Sequence, residues 1–158
     1  MLAKNPEVYI LFFSFLLNLL WEAIQAPLFV FEQQSSAFLL TGCLLFCSGV
    51  DAFMTLTSYC ALSVVARSRY WFLARRLSHW VSFVGIGLVL ALASEYTAIH
   101  YRNLWEYSSL MPVVPGLNIG LTPLLQWLIL PPIVLILLAR ACGFIRVKSY
   151  RKIDAEGE

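Results

Sequence analysis

VYILFFSFLLNLLWEAIQAPLFVF (residues 8–31) is an apolar run that carries a single formal charge, Glu22. A stretch this long meets the requirement of about 20 apolar residues for a bilayer-spanning helix. Three further runs have the same character, at 37–66, 80–99 and 119–142. Little of the 158 residues is left for a soluble domain. The expected fold is therefore all-α: a polytopic membrane protein whose single domain, residues 1–158, is one bundle of four transmembrane helices, with residues 143–158 as a short tail. Composition agrees, with 60% hydrophobic residues, 13% charged residues and a mean hydropathy of +0.77, far from the balance of a soluble domain.

The basic residues set the expected orientation, because Lys and Arg near helix ends are retained in the cytoplasm. In a four-span topology Lys4, Arg67, Arg69, Arg75, Arg76, Arg140, Arg146, Lys148, Arg151 and Lys152 all lie on one side, and Arg102 alone lies opposite. Both termini are thus expected in the cytoplasm, with loops 32–36 and 100–118 outside and the inner (plasma) membrane of a cell as the location. The net charge of +2 reflects this bias and does not point to nucleic acid. The acidic chain end, Asp154, Glu156 and Glu158, is expected to be disordered. Although Lys4 precedes the first run, that run is too long for a secretion signal, contains Asn18, Glu22 and Gln25, and precedes no convincing small-x-small site. It is read as an uncleaved helix, with a kink at Pro27.

Asp51 and Glu95 fall in the second and third runs. A carboxylate at membrane depth costs roughly 2.5–3.5 kcal/mol on insertion scales, so such residues face protein or water and mark working sites. Polar residues spaced three or four apart share a helix face. Ser14, Asn18, Glu22 and Gln25 form one stripe, Ser48, Asp51, Thr55 and Ser58 a second, and Asn118, Thr122 and Gln126 a third, while Gly87 and Ala91 form a small-residue face beneath Glu95. Stripes on separate spans are expected to converge on a shared interior. For the Ser, Thr and Asn residues the bland reading is hydrogen bonding between helices. The carboxylates differ, because no Lys or Arg within a span can pair with them, and Glu22 and Asp51 are expected to spend much of their time protonated, the state a general acid needs. At ~1.5 Å per residue from the expected outer ends, Glu95, Glu22 and Asp51 would lie ~6, ~12–14 and ~21 Å deep, a staggered set.

The loop HYRNLWEYSSLMPVVPGLN (100–118) is too rich in Pro and Gly for a continuous helix and too apolar to float in water. It either folds back over the bundle as a cap or sets Trp105 and Tyr107 in an aromatic belt. ARSRYWFLARRLSHW (66–80) interleaves arginines with aromatic rings, the pattern of a short interfacial helix. His100 is a candidate proton shuttle near Glu95; with His79 on the other side, the metal signal is weak and no metal or other cofactor is assigned. Cys43 and Cys47 could offer thiolates to a soft metal, but small apolar packing is the plainer reading.

The runs LWEY (104–107), M-P (111–112) and PGLNIGLTPLLQW (115–127), with NLLWEAIQAP (18–27), resemble a group of uncharacterised small bacterial inner-membrane proteins. More distantly, the W-x-Y turn, the Gly-containing loop and the Pro entering the next helix resemble the small integral-membrane lycopene cyclase domains. Those domains carry adjacent glutamates after the proline, which protonate a polyene; here Leu124, Leu125 and Gln126 follow Pro123. No Gly-rich phosphate loop and no G-x-S-x-G is present.

Three functions remain. One is an enzyme doing proton-transfer chemistry on a lipid-like or isoprenoid substrate, with Glu22, Glu95, Asp51 and His100 as candidate catalytic residues. Its candidate binding residues are Asn18, Gln25, Arg102, Trp21, Trp105, Tyr107, Gln126 and Trp127. The second is a small proton- or cation-coupled carrier. The third is a non-catalytic subunit of a membrane complex, and either a homo-oligomer or a larger assembly would suit the last two.

Overall fold

A computed structural model describes the backbone of residues 5–30, 36–74 and 76–156, and the side chains of these residues as far as Cys142. Four helices, α1 (Pro6–Gln25), α2 (Ala37–Val65), α3 (Leu77–His100) and α4 (Leu121–Glu156), form the bundle. In each, a segment is long and apolar enough to cross a bilayer, the architecture of a multi-pass membrane protein. The expected connection at 32–36 lies outside the described residues up to residue 35, as do Lys4, Arg75 and the side chains of the basic residues beyond Cys142.

The helix ends follow local chemistry. Pro6 stands in the first turn of α1, where its missing N–H costs nothing, and the Ser36 side chain accepts a bond from the Leu39 N–H at the start of α2. The kink expected at Pro27 is instead an end: α1 stops at Gln25, tightens into a 3-10 turn over Ala26–Leu28 and becomes strand β1 (Phe29–Val30). Proline cannot continue the α-helical ladder. In the other direction, α4 passes Pro131 and Pro132 and runs on to Glu156, so the short tail after Cys142 is helical as far as that residue.

Loop 100–118 folds back onto the bundle. Strand β2 (Glu106–Tyr107) pairs antiparallel with β1, Tyr107 opposite Phe29 and Glu106 opposite Val30. Strands β3 (Val113–Val114) and β4 (Ile119–Gly120) form a second short ladder, turned by Gly116 and Asn118 at positive φ. These two ladders are the departure from an all-helical chain.

At the opposite end, Ile10, Tyr59, Leu62, Trp71, Phe72, Phe83, Val134, Leu135 and Leu138 pack as one core drawn from all four helices and the α2–α3 turn. The expected interfacial helix over 66–80 is absent: α2 ends, Arg67 takes a positive φ, and one 3-10 turn (Trp71–Ala74) carries Trp71 and Phe72 into the core. Burying two large rings outweighs leaving them among head groups, since each hides roughly 150–250 Å². The Tyr59 hydroxyl donates to the Arg69 carbonyl and the Trp71 indole to Ser63 Oγ (3.2 Å). The Arg69 guanidinium closes the end on Glu7 (2.5 and 2.8 Å).

Small residues on α3 admit α4. A Cβ at Gly87 would lie 2.5 Å from the Trp127 ring, closer than atoms pack. Gly87→Ala is expected to displace Trp127 and destabilise the bundle by about 1–3 kcal/mol, the usual range for overpacking, read as a lower unfolding temperature in detergent.

Candidate functional site

All three polar stripes meet around one side chain, Gln126. Gln126, buried on α4, donates through Nε2 to Asn18 Oδ1 (2.7 Å) and Asp51 Oδ2 (2.9 Å), with Glu22 Oε1 farther off at 3.4 Å. Gln25 Nε2 donates to the same Glu22 oxygen (3.0 Å) and approaches Gln126 Oε1 (3.5 Å). The Trp21 indole in turn donates to Gln25 Oε1 (3.0 Å), and Asn18 Nδ2 donates to the Ser14 carbonyl (2.8 Å). Amide N–H groups thus point at the carboxyl oxygens, and the Trp21 indole holds the Gln25 amide in place. The Glu22 and Asp51 carboxyls, from two different helices, thus meet at the same amide nitrogen.

This geometry differs from the expected stagger. Glu22 and Asp51 reach one amide and therefore lie at one level. The depths had been counted from the helix ends, and α2, at 29 residues, is much longer than α1, at 20.

Glu95 occupies a separate corner. The Tyr107 hydroxyl donates to Glu95 Oε1 (2.6 Å), the Trp105 indole approaches the same oxygen (3.4 Å), and the Gly120 N–H donates to the Tyr107 oxygen (2.8 Å). Tyr107 is a clasp between the loop, α3 and the start of α4. Burial, and then the Glu95 carboxyl, push its phenol above the ordinary value. Its contribution to stability is therefore complete below about pH 10, the ordinary phenol value, and is lost as pH rises through the higher folded value. Tyr107→Phe strands the Gly120 N–H and is expected to cost about 1–3 kcal/mol. A melting curve checks this, and the difference from wild type should shrink in strong alkali.

A cavity of about 520 Å³ joins the two corners. Glu22, Gln25 and Phe29 line it from α1 and β1, Asp51 with Cys47 and Met54 from α2, Glu95 with Ala91 and Ala98 from α3, and Gln126, Trp127 and Pro123 from α4. Arg102, Leu104 and Trp105 cover it from the loop. The volume lies within the ~300–1,000 Å³ of small-molecule sites.

Of the sequence-derived candidates, Glu22, Asp51, Glu95, Gln25, Arg102, Trp105, Gln126 and Trp127 line this cavity. Asn18, Trp21 and Tyr107 stand behind it, holding the residues that do. His100 is not brought to it: the residue is exposed and its ring packs at a tilt against Tyr96, with centroids 4.5 Å apart. The five-residue step from Glu95 rotates His100 about 140° around the helix, away from the Glu95 face. Ser48, Thr55 and Ser58 bond to carbonyls four residues back on α2 (2.7–2.9 Å) and not across to another helix. Sequence reasoning passed over Cys47 and Met54 as lining residues, although both lie one helical turn from Asp51 and so share its face. Among the described residues no group of three or more His, Cys, Asp or Glu is placed to hold a metal. No family model, no curated protein and no solved structure matches this chain.

Proposed function

We propose that the chain is an enzyme of the inner (plasma) membrane, both termini cytoplasmic, that performs proton-transfer chemistry on a lipid-like or isoprenoid substrate held in the bundle. The observation that carries this reading is that Glu22, Asp51 and Glu95 open onto one cavity whose remaining wall is mostly apolar and aromatic, with the Gln25 and Gln126 amides and Arg102 among it. The asymmetric basic residues and the resemblance to small bacterial inner-membrane proteins support the location and orientation, and the more distant resemblance to lycopene cyclase domains fits the substrate class.

The chemistry balances without an oxidant or reductant. A carbon–carbon double bond takes the proton held by Glu22 and Asp51 and becomes a carbocation. The faces of Trp105 and Trp127, which line the cavity, stabilise that charge. Loss of a different proton to Glu95 then forms a new double bond, and the product is an isomer of the substrate. Protons return to the Glu22–Asp51 pair through solvent in the cavity.

The packed core at the other end of the bundle, with Phe72, Leu135 and Leu138 fully buried, favours an enzyme over a carrier, since transport needs access from both faces. Membranes holding the protein, incubated in deuterium oxide, test the reading. A lipid with carbon-bound deuterium is expected, absent from membranes without the protein and from those carrying Glu22→Gln or Glu95→Gln. Equal deuterium in all of these would refute it.

A further inference from the structure

The cavity has walls of two kinds. Gln25, Gln126 and Trp127, on α1 and α4, are buried. On the other side the lining includes Phe46 and Val50 of α2 and Ala93, Ser94 and Thr97 of α3, all exposed on the outside of the bundle; Phe46 is 72% exposed. These residues frame a gap between α2 and α3. The same two helices are joined tightly at the cytoplasmic end, where Tyr59 and Phe83 pack with Trp71 and Phe72. They are pinned at one end and parted along the cavity.

Above the gap the loop closes the direct route from water. The β1–β2 ladder ties it to α1, and Trp105 and Tyr107 tie it to Glu95. The backbone N–H of Arg102 bonds to the Thr97 carbonyl (3.1 Å), which fixes the loop at the top of the gap. The Arg102 side chain is exposed, lines the cavity and forms no ion pair among the described residues. A guanidinium at this height, over an apolar slot open to lipid, complements an oxyanion attached to a chain. A site of this volume holds the reacting segment of a chain, not the ~15 Å of a whole leaflet, so the remainder of the chain must lie outside, in the gap.

We infer that the substrate is an anionic amphiphile that enters sideways from the outer leaflet between α2 and α3, its head group on Arg102 and its chain directed at the Glu22–Asp51 pair. This rests on the proposed function for what happens next, but the binding is separable from the chemistry.

The test uses the protein in neutral phosphatidylcholine nanodiscs with a fatty acid bearing a mid-chain diazirine, and the matching fatty alcohol as the uncharged probe. After illumination, mass spectrometry locates the adducts. The acid is expected to label the cavity wall at Met54 or Trp127, about tenfold more than the alcohol, the equivalent of one charge-assisted hydrogen bond. Arg102→Gln should remove that preference. Ala93→Phe, which fills the gap from an exposed position, should reduce cavity labelling by both probes, whereas Val89→Phe, exposed and away from the cavity, should not. Inorganic phosphate should not compete, because an anion without a chain gains nothing from the slot.

Labelling confined to the outward faces of the helices overturns the inference, even where wild-type membranes still form carbon-bound deuterium. Equal cavity labelling by acid and alcohol, unchanged in Arg102→Gln, overturns the assignment of an anionic head group. Arg102-dependent cavity labelling in a protein that incorporates no deuterium supports the inference and refutes only the chemistry.

Discussion

Glu22→Gln is expected to lower turnover by about 10²–10⁴-fold, the contribution of a positioned general acid, while leaving the bundle folded. Glutamine keeps the length of the side chain and an oxygen to accept the bond from Gln25 Nε2, so the local packing survives. What disappears is a carboxyl able to hold a proton against Asp51. Asp51→Asn is expected to fail in the same way, because in the proposed chemistry the two carboxyls share one proton, and combining the changes should cost scarcely more than either alone. The measurement is the deuterium-labelled product formed per molecule of folded protein, set beside the melting temperature. A scaffold would retain its partner complex in both variants, so unchanged assembly together with lost turnover excludes that role.

Gln126→Leu is expected to have the largest effect on stability, at about 3 kcal/mol or more. Its amide serves acceptors on two other helices, Asn18 and Glu22 on α1 and Asp51 on α2. Removing it leaves the buried Asn18 Oδ1 and the half-buried Asp51 Oδ2 short of a donor, at roughly 1–3 kcal/mol for each such group. Leucine would fit the space yet supply nothing to those oxygens. By contrast Thr57→Ala, at an exposed position where the hydroxyl bonds only to its own helix, should change stability by less than about 0.5 kcal/mol. Melting curves of the two variants in the same detergent separate a hub from an ornament.

The four long helices could be read from the chain because hydropathy is a property of consecutive residues and needs no knowledge of what packs where. The meeting of Glu22, Asp51 and Gln126 was also legible, since i, i+3 and i+4 spacing fixes a face. Their relative height was not, because it depends on where helices stop, and α1 ends at Gln25 where Pro27 breaks the ladder. His100 was misplaced for a related reason: closeness in sequence to Glu95 says nothing of direction around the axis. Arg102, two residues later, does reach the cavity because the chain has left the helix by then, with Asn103 at positive φ. The burial of Trp71 and Phe72 could not be read locally, because arginines beside aromatic rings suit both a membrane surface and the closed end of a bundle.

Modification by a hydrophobic carbodiimide, which attacks protonated carboxyls from the lipid phase, tests most directly whether the acids of separate helices share one hollow. With Glu22 and Asp51 both reaching the Gln126 amide, intact-protein and peptide mass spectrometry should find an adduct on one of the two in each chain and never on both. Chains modified at both residues, or at neither under conditions that modify other carboxyls, would show that the two acids do not face a common space.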